Sequence, residues 1–83
     1  MSEMKNQAVR FAICLDNTDY PASLELHKVY RVLPDQEADR DGDLRVVDES
    51  GEDYLYPADW FVVVNLSPEM ARILEKSFTR HEG

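Results

Sequence analysis

The stretch Gly51–Val64, GEDYLYPADWFVVV, constrains the fold of this chain more than any other. A glycine suited to a left-handed turn comes first, then a short aromatic strand. A proline that cannot donate to a ladder ends that strand, and a second apolar strand follows at once. This succession is typical of the end of a small, strongly bent β-barrel.

Upstream residues read as further short strands. Residues 1–8 are polar and expected to fray. Val9–Leu15 is a strand rich in apolar residues, with Val9, Phe11, Ile13 and Leu15 on one face and Arg10, Ala12 and Cys14 on the other. Asp16–Ser23, DNTDYPAS, is turn chemistry and long for a hairpin tip. Leu24–Leu33 holds two alternating pieces whose register slips at His27–Lys28, the mark of a tight turn or bulge. Asp35–Asp43 reads as an acidic loop, Leu44–Asp48 as a strand and Glu49–Glu52 as a hairpin turn with Gly51 in the left-handed position. Asp53–Tyr56 returns, Pro57–Asp59 breaks the strand, and Trp60–Asn65 is the last strand.

The period then changes. Ser67, Pro68 and Glu69 supply a capping hydroxyl, a first-position proline and an acid in the first turn. Met70, Ile73, Leu74 and Phe78 fall three or four apart, while Arg72, Glu75, Lys76 and Thr79 face away. The spacing predicts a helix over about Pro68–Thr79, docked by its apolar stripe. The expectation is one all-β domain: a five-stranded barrel over 9–65 with a C-terminal helix within 67–80.

At 83 residues with 43% hydrophobic content, the chain is long enough for one modest core and too apolar to be disordered. Cys14 is its single cysteine, so no internal disulfide forms, which fits a reducing, cytoplasmic compartment. The apolar run Trp60–Val64 is far short of a membrane span, and the first residues lack the apolar stretch of a signal peptide. A formal charge of −8, with Arg31, Arg40 and Arg45 set among carboxylates, disfavours nucleic acid as a partner.

Taken together, Phe11–Asp16 (FAICLD), the turn-rich loop, the Leu44–Tyr56 hairpin and Pro57-Ala58-Asp59-Trp60-Phe61 resemble the Src-homology-3-type barrel. Ala12 and Ile13 are similar to the start of its A-L-Y-D-Y pattern, and residues 57–61 to its P-S-N-Y-V ending. The resemblance spans about Val9–Val64, is one of spacing more than identity, and lies closest to small stand-alone bacterial proteins of this shape, a group without an assigned activity. It implies a short helical turn before the last strand. Family members that bind proline-rich peptides use an aromatic shelf, two positions of which match Pro57 and Trp60. The chain departs from that shelf at Cys14–Leu15 and at Asp43–Leu44.

Two candidate sites emerge. Tyr54, Tyr56 and Trp60 form an aromatic group of which at least one tyrosine is expected in the core; Tyr20, Tyr54 and Trp60, with Pro57 and the carboxylates Asp16, Asp19, Asp53 and Asp59, make an acidic-aromatic surface suited to a protein or to a basic or arginine-containing peptide through charge and cation–π contact. Glu37, Asp39, Asp41, Asp43 and Asp48 fall at oxygen-donating positions of a calcium-loop template, with Gly42 at the turn. Their flanks are strands, however, and the plain alternative is a solvated acidic loop. Cys14 reads as a small buried hydrophobe, and Asp48–Glu49 as an exposed hairpin pair of ordinary acidity. No catalytic constellation is legible. The expected role is therefore a non-enzymatic, monomeric adaptor without a cofactor. The alternatives are a calcium-responsive module and a structural subunit docking through its C-terminal helix.

Overall fold

A computed structural model describes residues 10–80 of the chain, and the segment 1–8, Val9 and His81 lie outside them. The described residues form strands β1 (Arg10–Cys14) and β2 (Val29–Leu33), helix α1 (Gln36–Arg40), strands β3 (Asp43–Val47), β4 (Asp53–Pro57) and β5 (Phe61–Val64), and helix α2 (Pro68–Arg80). A 3-10 turn at Ala58–Trp60 separates β4 from β5, in the place where the sequence breaks at Pro57.

Neighbouring strands are antiparallel in the order β4-β3-β2-β1-β5. The five-stranded antiparallel sheet and its C-terminal helix are as expected, but the expected closure into a barrel is not. β4 and β5 are the two edges of the sheet, and no ladder among the described residues joins them. Pro57 supplies the reason. It ends β4 without an N–H to offer, and the 3-10 turn then carries the chain to the far side of β1. The edges still lean together: the rings of Tyr56 and Phe61 lie 6.2 Å apart. Ala58 donates its backbone N–H to the Gly42 carbonyl at 2.9 Å.

Side-chain alternation divides the sheet into two faces. Ala12 and Cys14, Tyr30 and Val32, Leu44 and Val46, Tyr56 and Phe61 point inward and form the core, into which Leu24 is set from the β1–β2 loop. Leu24, Val32, Val46 and Cys14 are completely buried. Full burial of an aliphatic side chain of this size stabilises by about 1.5–3 kcal/mol. The inward position of Tyr56 leaves Leu55 exposed on the opposite face. Cys14 is the buried hydrophobe the sequence suggests.

Two stretches differ from expectation. Leu24–Lys28 is not a strand. Its carbonyls and amides serve the loop, and His27 takes a left-handed φ of 66°, so the register slip at His27–Lys28 is a backbone reversal. Residues 35–43 are not an open loop, because α1 occupies their middle. Asp35 caps it, its carboxylate accepting from the Ala38 N–H at 3.0 Å, and Ala38 is buried. The same carboxylate accepts from Arg45 Nε at 2.8 Å, which pins the helix to β3. These bonds hold the Asp35 carboxyl below the usual range, the Ala38 amide contributing most.

Helix α2, whose Met70 N–H is capped by Ser67 Oγ at 3.2 Å, lies against the Phe11–Arg31 part of the outer face and leaves Leu55 and Val62 about half exposed. Phe78 stacks on Phe11 at 5.9 Å between centroids. The docking is only partial. Leu74 and Phe78 are half-buried, but Met70 and Ile73 are 52% and 55% exposed. Glu75, expected to face solvent, reaches inward to Arg31 at 3.1 Å. The cause lies in the sheet: Arg31 stands opposite Phe11 on the outer face. A guanidinium there needs a carboxylate, so α2 turns its Glu75–Phe78 side downward. No described helix is long and apolar enough to cross a membrane.

Candidate partner-binding surface

The surface is built by the β1–β2 loop closing over the end of the β3–β4 hairpin. Asp16 starts the loop: its carboxylate accepts from the Thr18 N–H at 2.9 Å and the Thr18 hydroxyl at 2.7 Å. Those two bonds, the amide first, hold its carboxyl below the ordinary range. Tyr20 donates its N–H to Asn17, Leu24 donates back to the Tyr20 carbonyl at 3.0 Å, and the Asn17 amide closes on the Leu24 carbonyl at 2.9 Å. With Leu24 plugged into the core, Tyr20 is carried across the sheet edge.

There it meets two other rings. Tyr20 lies 5.7 Å from Tyr56, edge to face, and 5.9 Å from Trp60; Tyr56 and Trp60 lie 6.1 Å apart. Ring pairs at these separations add about 0.5–1.5 kcal/mol each beyond the area they bury. Tyr56 is the buried centre of the triad and Tyr20 its exposed wing. Trp60 is positioned by the 3-10 turn, and its carbonyl accepts from the Leu15 N–H at 2.7 Å.

Asp48 underlies the arrangement. One oxygen accepts from the Tyr56 hydroxyl at 2.7 Å, the other from the Ser50 N–H and hydroxyl at 2.9 and 2.6 Å. Burial pushes this carboxyl up, but the bonds from Ser50 and Tyr56 outweigh it and hold it below its ordinary value. Burial and the bond to Asp48 push the Tyr56 hydroxyl up to about 12. Glu49 alongside accepts from Lys28 Nζ at 2.7 Å and from the Tyr30 hydroxyl, and these bonds lower its carboxyl as well. The Glu49 N–H donates to the Ser23 carbonyl at 2.9 Å, tying hairpin to loop. The Asp48–Glu49 pair is thus neither wholly exposed nor of ordinary acidity, a correction to the sequence reading. The two carboxylates satisfy the buried Tyr56 hydroxyl and the part-buried Tyr30 hydroxyl.

The structure brings together Tyr20 and Trp60, and sets Tyr20 and Tyr54 on a shared cleft of about 360 Å³ that Tyr56 and Asp48 also line. Asp19 and Asp59 are exposed on the elements that carry Tyr20 and Trp60, and Pro57 is exposed at the end of β4. Asp53 points away to the outer side, where it meets Arg45 at 2.9 Å. Tyr56, one of the aromatic group singled out from the sequence, is the tyrosine that the core takes, while Ser23, Ser50 and Leu55 are cleft residues that the sequence did not suggest. One signal was present: Asp48-Glu49-Ser50 is an Asx turn, whose carboxylate is fixed in place for a nearby donor.

The acidic positions of the calcium template are distributed over separate elements. Glu37 and Asp39 ride on α1, Asp39 pairs with Arg10 at 3.3 Å, Asp41 ends that helix, Asp43 opens β3, and Asp48 is engaged at the far end of that strand. Among the described residues, no three His, Cys, Asp or Glu side chains come together as a metal-binding group. Compared with known proteins, the chain matches no family model, no curated protein and no solved structure.

Proposed function

We propose that the chain is a non-enzymatic protein-binding module, an adaptor of Src-homology-3-like design, that engages a basic protein segment through Tyr20, Trp60 and their carboxylate surround. The observation that carries this reading is the Tyr20–Tyr56–Trp60 triad: a half-exposed tyrosine held on a buried, hydrogen-bonded ring beside the chain's single tryptophan. Rings fixed in this way lose little entropy on binding, and tyrosine and tryptophan dominate the energetics of protein contacts. A net charge of −8 steers such a surface toward basic partners. The strand order, the long β1–β2 loop and the 3-10 turn before β5 support the Src-homology-3-like reading, with β4 and β5 approaching without pairing. The single buried cysteine accords with a reducing, cytoplasmic setting.

The test is selection of random displayed peptides on the full chain at low salt, followed by titration against Trp60 emission. Basic peptides should be enriched and should shift that emission. Trp60→Ala should weaken them by about 2 kcal/mol or more, with Tyr20→Ala next. Capture that is unaltered by both substitutions would overturn the reading.

A second reading is favoured by one observation: more than half of Met70 and Ile73 is exposed on the apolar stripe of α2. Under it the chain is a structural subunit that docks by this helix. Light scattering should then show an assembly that Met70→Gln with Ile73→Gln disperses; a concentration-independent monomer would exclude self-docking.

A further inference from the structure

Two clefts of similar size flank the β3–β4 hairpin, and their linings are opposite in character. The first, about 420 Å³, has its own cations: Lys28, which pairs with Glu49 and sits 5.6 Å over the Tyr30 ring, and Arg31, which pairs with Glu75. The second, about 360 Å³, is lined by Tyr20, Tyr54, Tyr56, Ser23, Ser50 and the buried Asp48, with Leu55 at its edge, and contains no basic side chain. Its size is at the lower end for ligand sites, right for one side chain rather than a whole cofactor.

We propose that this second cleft seats the guanidinium of an arginine presented by the bound protein segment, flat against the Tyr20 and Tyr54 rings. The proposal rests on the protein-binding reading above and adds the chemistry of its principal contact. Tyrosine faces attract cations through the ring quadrupole. Both rings are about half exposed and so offer free faces, at 51% for Tyr20 and 49% for Tyr54. The field in the cleft is negative. Glu52 accepts from the Tyr54 hydroxyl at 3.0 Å, and Glu52, Asp48 and Asp53 together raise that hydroxyl above its ordinary range. A field that opposes a phenolate favours a cation.

Arginine suits the cleft better than lysine for a physical reason. Both oxygens of Asp48 already accept hydrogen bonds, so the site offers ring faces and hydroxyls rather than a free carboxylate. A planar, weakly hydrated guanidinium stacks on rings at little desolvation cost, whereas an ammonium needs strong acceptors to replace its water.

The probe is a Gly-Arg-Gly peptide with blocked ends, titrated into the full chain beside its lysine and citrulline counterparts and followed by the NMR ring signals. The arginine peptide should give saturable shifts at Tyr20, Tyr54 and Tyr56. Lysine should bind several-fold more weakly and citrulline should not saturate. Tyr54→Ala should weaken binding roughly two- to fivefold, as expected for one exposed cation–π contact. Tyr54→Phe should retain it, and Lys28→Ala at the first cleft should leave it unaltered. Equal response to lysine and citrulline, shifts at the first cleft, or no saturation would overturn the proposal. Basic peptides that still depend on Trp60 but ignore Tyr54 would remove the arginine seat and leave the protein-binding reading standing. Peptides that ignore both would remove the two together.

Discussion

The two faces of the sheet are sealed by different means. On the inner face, aliphatic packing is joined to a set of hydroxyl–carboxylate bonds: Tyr56 to Asp48, Tyr30 to Glu49, Ser50 to Asp48. On the outer face a helix is laid across, its contacts including the Phe11–Phe78 stack, the Arg31 guanidinium over the Phe78 ring and the Arg31–Glu75 pair, with Met70 and Ile73 more than half exposed. The difference teaches where a small domain spends its limited apolar surface. One face becomes a fixed platform whose rim can present rings in set positions. The other keeps a cover that is attached locally, and local attachment is the usual source of regions with low opening free energy.

The largest effect that would test this contrast is at Leu24, which is fully buried and joins the loop to the inner core. Leu24→Ala should cost about 2–5 kcal/mol, read as a lower urea midpoint with the slope kept. It should also disperse the Tyr20–Trp60 contact. A loss below about 1 kcal/mol would mean that the inner face is no better sealed than the outer.

Next in size is Asp48→Ala. The Tyr56 hydroxyl and both Ser50 donors lose their acceptor, at a cost of about 1–3 kcal/mol. The pH dependence of the parent follows from the same bonds. The folded carboxyls of Asp48 and Glu49 lie below their ordinary values of 3.8 and 4.5. Their contribution is therefore complete above those values and is lost as pH falls through the lowered folded ones. Tyr56 works in the opposite direction. Its hydroxyl is raised from 10.0 to about 12, so its contribution is complete below 10 and fades as pH rises toward 12. Urea midpoints against pH should show a plateau between these limits. Asp48→Asn should flatten its acid edge, and an unaltered edge would place the stabilising carboxylates elsewhere.

Phe78→Ala should cost less, about 1–2 kcal/mol, because the ring is half-buried and its loss removes a stack rather than a core residue. Hydrogen exchange should speed up across α2 with little change in β1–β3. Uniform acceleration throughout the sheet would show that the helix and the core are one cooperative unit. The smallest effect belongs to Met70→Gln with Ile73→Gln. In an isolated monomer thermal melting should move by no more than about 0.5 kcal/mol equivalent per site. A larger loss would mean that the stripe is covered.

Much of this contrast could be read from the residues. Apart from the piece at Leu24–Lys28, the strands separated by turn residues, the break at Pro57 and the start of α2 after Ser67 are local signals, each found within a residue or two of its expected place. Helix α1 was hidden because five residues with one buried side chain have no period to detect; only its Asp35 cap could have betrayed it. The rotation of α2 was hidden for a different reason. It depends on Arg31, a residue on another element, and a helical stripe read by itself cannot know which partner it meets. Of the candidate surface, Tyr20 and Trp60 were legible as surplus rings, while the role of Tyr56 was not. Its burial depends on the strand register, which a shift of one residue would invert. The acidic spacing counts positions along the chain, and α1 and β3 distribute those positions over separate elements.

The pairing of β1 with β5 has a consequence in time rather than in space. Phe11 finds its partner in Val64, so pairing on this side of the first strand must close a loop of about 50 residues. The β3–β4 hairpin, closed by a short turn at Gly51, pairs residues close in sequence and carries both Asp48 and Tyr56. Contacts between distant residues are slow to form because loop closure must precede them. In folding, the hairpin half of the ring-bearing rim is thus expected to assemble first, with Trp60 joining it as β5 pairs with β1.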